Sequence, residues 1–181
     1  MELMGMNLRE PVPARAMVTF WLSAPQDVAV SIPEGTEVSS TQTETQPSII
    51  FTTDDNYVIR PPLLKTVQAY IVNEDNEREY RRFDANLLIN GLESIETFSP
   101  VPREGDAFYL GFDNDLSTHT LGLTVDCDPT GGAGIDPTRP PYIWEASTGS
   151  QERPWQTCAI DLGEDSTKGM NIAGRIRMHL P

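Results

Sequence analysis

Asp113, Asn114 and Asp115, followed shortly by His119, are the residues whose types and spacing could do chemistry. Clustered carboxylate and amide oxygens can hold a calcium ion, and a carboxylate beside an imidazole can pass protons. An EF-hand loop needs Gly at its sixth position and Glu at its twelfth. Counted from Asp113, those positions hold Thr118 and Thr124, so the EF-hand is excluded. A metal site of another type remains as a minor reading. Asp and Asn are ordinary turn residues, and the preferred reading is a turn between two strands.

Catalytic residues are otherwise scarce. The chain has 2 histidines, His119 in this loop and His179 on the outward face of a C-terminal strand. Neither lies near a Ser in a GxSxG elbow, and a Cys–His dyad would have to be assembled by folding. Cys127 and Cys158 form no CxxC and have no His at metal spacing, so free buried thiols are expected, a disulfide being possible but not implied. The Gly-rich stretch at 128–142 has no Lys and runs into Pro140 and Pro141, which suits a flexible connection and not a phosphate cradle. The 27 acidic residues could hide a glycosidase pair, but their abundance alone argues nothing. The expectation is a protein that is not an enzyme, with no catalytic residue, cofactor or metal.

The aromatic residues allow two readings. Trp21, Trp144 and Trp155 with Tyr70, Tyr109 and Tyr142 could stack sugars, or they could fill a second sheet face or an inter-subunit contact. Trp and Tyr are enriched in such contacts, and the second reading is preferred.

The elements that must carry these residues are short and alternating. Phe108, Leu110 and Phe112 share one face opposite Ala107, Tyr109 and Gly111; Leu121, Leu123 and Val125 repeat the pattern. Period 2 on both sides of a polar loop predicts an antiparallel hairpin over 105–125. Similar alternation predicts strands over 16–23, 28–32, 36–39, 48–53, 66–73, 142–147, 155–160 and 175–180. The charged run at 73–82 reads as a solvated turn or short helix, and 83–94 as a helical turn or a loop. Prolines (15) and glycines (13) punctuate the chain throughout. The expected fold is all-β, an antiparallel β-sandwich with long loops over 16–181 behind an N-terminal arm at 1–15.

At 181 residues the chain is long enough to bury a core without disulfide staples. Its formal net charge of −14 disfavours nucleic acid and anionic membranes, permits basic protein partners and promotes solubility. No apolar run reaches the length of a membrane span. The opening MELMGMNL lacks the basic start and small-residue cleavage site of a signal peptide, so synthesis in the cytoplasm is expected. The apolar start and the ending directly after a strand suit a piece of a longer protein.

Several phrases taken in order resemble a known family. These are VPARAMVTFWLSAP, VSIPEGTEVSS, IIFTTDDNYVI, GDAFYLGFDNDLSTHTLGLTV, and the stretch from PPYIWEAS to GRIRMHLP. Their order is similar to that of baseplate-J-like wedge components of contractile phage tails and phage-tail-like injection systems. Members carry an IP-x-GT-x-V turn, an F-x-T strand, a YLGF hairpin, a W-E strand and a terminal G-x-[IV]-x-[ILM]-x-LP. Here these fall at 32–38, 51–53, 109–112, 144–145 and 174–181. The resemblance covers about two thirds of the chain, which is shorter than family members.

The resemblance implies a structural baseplate component that binds other wedge, hub or sheath proteins in a multi-subunit assembly. Nucleic acid and membrane are not among the implied partners. It would assemble in the cytoplasm and reside in the particle. Candidate partner contacts are Leu3, Met4, Met6 and Leu8 of the arm, with Trp21, Asp113, Asp115, His119 and Trp144. The alternative is a carbohydrate-binding β-sandwich module.

Overall fold

The computed structural model describes residues 12–24, 26–73, 75, 77–99, 102–128, 136 and 138–181. Leu3, Met4, Met6 and Leu8, and most of the Gly-rich connection, lie outside the described residues. The described chain is all-β, with antiparallel strand pairing throughout, one short helix and no barrel.

The first part of the chain forms small two-stranded sheets. β1 (Val30–Ile32) pairs with β4 (Tyr57–Ile59), and β2 (Glu37–Ser39) pairs with β3 (Ile50–Thr52). The IPEGT sequence turns the chain between β1 and β2. Gly35 adopts φ +79°, a left-handed conformation natural to glycine. Thr53 closes the turn: its hydroxyl donates to Pro33 O at 2.8 Å and accepts the Thr36 N–H at 3.0 Å.

Two three-stranded sheets follow, and they carry the main apolar burial. The first has β5 (Leu64–Val72) at its centre, flanked by β6 (Arg78–Phe83) and β7 (Ala107–Phe112). Val67, Ala69 and Ile71 are buried on one face of β5, as their alternation predicts. Helix α1 (Ala85–Ile89) lies beside β5. Asp84 caps it by accepting the N–H groups of Asn86 and Leu87, and it ends at Asn90 without a basic last turn.

The second sheet has β12 (Gly174–His179) at its centre, between β8 (Thr120–Val125) and β11 (Ala159–Ile160). Ile176 and Met178 point into a core shared with Cys158, against which Leu121, Leu123, Trp144 and Ile160 pack. Ile176 is 1 % exposed. Burial of a side chain of this size contributes roughly 1.5–3 kcal/mol. A last small sheet pairs β9 (Glu145–Ser147) with β10 (Trp155–Thr157).

The structure corrects several sequence expectations. β7 and β8 both form, but they do not make a hairpin: β7 pairs with β5, and β8 pairs with β12. The loop between them therefore passes from one sheet to another. Residues 16–23 alternate yet form no strand, because among the described residues no segment supplies a ladder of hydrogen bonds. Of the charged run at 73–82, the first half holds a turn, closed by the Asn73 N–H on Glu77 O at 2.9 Å, but the second half belongs to β6, whose residues pair from Val67↔Phe83 to Val72↔Arg78. The stretch 155–160 divides at Cys158, whose N–H bonds Trp144 O at 2.8 Å, so β10 and β11 enter different sheets. Among the described residues no helix is long and apolar enough to cross a membrane.

Candidate functional site

The loop between β7 and β8 uses its polar groups internally and on the chain just before β5. Asp113 pairs with Lys65 at 2.9 Å, both side chains being exposed. Asn114 accepts the Leu63 N–H at 2.9 Å and donates to Pro61 O at 3.1 Å. Asp115 accepts the Ser117 hydroxyl at 2.6 Å and its N–H at 2.8 Å. The Ser117 hydroxyl, then its N–H, hold the Asp115 carboxyl below the usual carboxylate range, with Arg60 adding attraction. Buried Leu116 anchors the loop to the interior.

His119 sits across this loop with both ring nitrogens occupied. Nδ1–H donates to Ser117 O at 2.9 Å, and Nε2 accepts the Arg60 N–H at 3.1 Å. This arrangement requires the neutral Nδ1–H tautomer. Neither ring nitrogen bonds a carboxylate, so the loop places no acid/base pair together. His179 Nδ1 contacts Thr120 Oγ1 at 3.0 Å. Among the described residues no group of three or more His, Cys, Asp and Glu could hold a metal.

The tryptophans separate into three environments. Trp21 is 55 % exposed and lies beneath the Arg177 guanidinium, 5.0 Å from its ring centroid. Arg177 in turn pairs with Glu164 at 2.9 Å. Trp144 packs against the β12 core, edge-on to Tyr142 at 6.3 Å, and its buried Nε1 has no hydrogen-bond partner. Beside it is a cavity of about 140 Å³ lined by Tyr142, Cys158, Ile160, Asp165 and Ile176. Burial, and then Asp165, push the Tyr142 hydroxyl pKa up; burial, and then Glu145, push the Cys158 thiol up. Cys158 and half-buried Cys127 are both free thiols.

Trp155 occupies the third environment, on a surface shared with Tyr109. Their ring centroids are 6.1 Å apart and their planes tilt by 49°. On the same sheet Tyr70 meets Tyr80 at 4.7 Å, and Arg78 lies over Tyr70 at 5.9 Å. Tyr80 and Arg78 are not among the residues expected at a site, because in sequence 73–82 reads as a solvated turn or short helix. Arg78, Tyr80 and Arg82 alternate with Glu79, Arg81 and Phe83, and that period was the available signal. The sheet's far end borders an open groove of about 400 Å³ near Lys65, Arg82, Asn86 and Asp113.

Comparison of the chain with family models, curated proteins and solved structures finds no match.

Proposed function

We propose that the chain is a structural component of a contractile phage tail or phage-tail-like injection system, acting in the baseplate through protein–protein contacts. In this reading β6-β5-β7 and β11-β12-β8 are the layers of an antiparallel sandwich, and the β7–β8 loop crosses between them. The observation that carries the reading is how its motifs meet. The IPEGT turn and the FTT strand, separate in sequence, are one unit: Gly35 N–H bonds Thr53 O at 2.9 Å and Thr53 N–H bonds Thr36 O at 3.0 Å. YLGF supplies most of β7, and GRIRMH is β12. Motifs that share a fold in this way support a resemblance better than scattered strings do. Exposed Trp21, Tyr109 and Trp155 supply residues of the kind that anchor protein contacts.

The test is genetic and visual. Deleting the gene in the organism that carries it should leave tubes and sheaths without assembled baseplates in electron micrographs. Normal contractile particles in the deletion strain reject the proposal. A chain lacking residues 1–15 should stay folded and bind its assembly partners less well.

A second reading, a carbohydrate-binding module, draws on the exposed Tyr109–Trp155 pair. Saturable binding on a glycan array that Trp155→Ala abolishes would favour it over the first.

A further inference from the structure

We propose that the solvent face of the β6-β5-β7 sheet is a docking surface for an acidic segment of a partner protein. The inference rests on reading the chain as a binding component of an assembly and names the chemistry of one partner.

Register defines the face. Gln68 stands between Arg82 on β6 and Tyr109 on β7, and Tyr70 stands between Tyr80 and Ala107. The next residues along β5, Val67, Ala69 and Ile71, turn to the buried side. Strand alternation therefore gathers Arg78, Tyr80, Arg82, Tyr70 and Tyr109 on one side, and Trp155 extends the patch by its contact with Tyr109. Tyr80 is 72 % exposed, Trp155 48 % and Tyr109 39 %. Tyr, Trp and Arg are the residue types that dominate binding energy when a partner covers them.

Charge selects the partner. The chain as a whole carries −14, which favours basic partners in general. On this face the balance is reversed. Arg81, which points to the opposite side, is matched by Glu79 at 2.9 Å and Glu96 at 3.4 Å. Arg78 and Arg82 have no carboxylate partner among the described residues, and Arg78 has only the Tyr70 ring. A guanidinium presents donors in a fork that matches a carboxylate, so two of them beside aromatic rings suit Glu or Asp next to an apolar anchor. A neutral sugar has no use for the two charges. The ring pairs also tilt by 48° and 49°, so they offer no flat row for a pyranose chain.

The test titrates the full chain with a short fluorescein-labelled peptide of Glu and Asp around one Phe, followed by anisotropy. A Gln/Asn version of the peptide and a soluble glucan oligosaccharide are the comparison probes. Binding of the acidic peptide is expected, weakening with added salt, and about tenfold weaker for R78Q/R82Q or for the Gln/Asn peptide. Circular dichroism confirms that the variant is folded. Amide shift mapping on the unaltered chain supplies a second readout and should place the changes on β5, β6 and β7. No peptide binding, binding indifferent to the arginine pair, or shifts confined to another surface each overturn the proposal. So does glucan binding lost in Trp155→Ala without any peptide binding. Those failures leave the particle phenotype of the gene deletion unaffected, so the two readings fail separately.

Discussion

His119 Nε2 accepts the backbone N–H of Arg60 at 3.1 Å, across a sequence separation of 59 residues. The bond joins the loop after β7 to the chain leaving β4. The same residue's carbonyl accepts the Leu180 N–H at 2.9 Å, and Pro181 O accepts the Thr118 N–H at 3.3 Å. One loop therefore gathers the end of β4 and the end of β12. A histidine that looks catalytic in sequence is a strut in the fold.

Replacing His119 with Ala should remove that strut and cost about 1 kcal/mol of unfolding free energy, because each lost hydrogen bond here is partly replaced by water. Urea unfolding of the two proteins checks it. An unchanged midpoint would show that the imidazole bonds contribute nothing net.

Asp106 should give the chain an acid-sensitive stability. Burial opposes its ionisation, but the Val72 N–H, the Ser99 hydroxyl and the N–H groups of Arg103 and Ser99 outweigh burial and hold its pKa below the usual value. The donors lie at 2.7–3.4 Å. A depressed folded-state pKa means that the stabilisation is present above the unfolded carboxylate pKa and is lost as pH falls through the lower, folded value. Asp106→Asn keeps one acceptor oxygen and turns the other group into a donor. It should cost roughly 1.5–3 kcal/mol at neutral pH and flatten the acid limb of the stability profile. Thermal melts across an acid-to-neutral series would show the difference shrinking as pH falls; a constant difference contradicts the assignment.

Elements with one buried face were legible in the sequence, and elements defined by their partners were not. Val67, Ala69 and Ile71, and likewise Ile176 and Met178, announce their strands because burial demands apolar residues at every second position. β6 hid because both its faces are polar: an exposed edge strand of Arg and Glu has the composition of a solvated loop. The hairpin that alternation predicts over 105–125 does not form for a different reason. Period 2 shows that a strand has a buried face but not which strand it pairs with. The Asp113–Asp115 turn was readable from residue type, whereas the Lys65, Leu63 and Arg60 partners that give it its geometry lie far away in sequence. The Tyr109–Trp155 contact was hidden too, since it joins two different sheets.

The two thiols should differ sharply in reactivity. Thiolate is the reacting form, and burial pushes the Cys158 thiol pKa up, with Glu145 adding to the effect. Cys158 is also 5 % exposed, while Cys127 is half-buried at the end of the chain leaving β8. With a disulfide reagent at neutral pH, the native chain should release about one equivalent quickly and the second only on unfolding. Cys127→Ser should abolish the fast phase and Cys158→Ser should leave it. Fast modification of both thiols in the native chain would contradict the buried position of Cys158.

Gly174, which opens β12, and Gly122 of the neighbouring β8 should respond unequally to the same added methyl group. A Cβ on Gly174 would lie 2.7 Å from Ser166 C and 2.8 Å from Ser166 O. Those atoms are backbone, and Ser166 is held there by N–H to Arg175 O at 3.0 Å while its hydroxyl accepts the Arg175 N–H at 2.8 Å. They cannot retreat without opening the turn that leads into β12. A Cβ on Gly122 would instead meet the far end of the Arg175 side chain, its nearest atom at 2.5 Å. That guanidinium can rotate away. Gly174→Ala should therefore destabilise by about 1–3 kcal/mol, in the range of overpacked sites, whereas Gly122→Ala should cost less than about 1 kcal/mol. Paired thermal melts measure both. Equal losses would mean that Arg175 is as rigidly held as the Ser166 backbone.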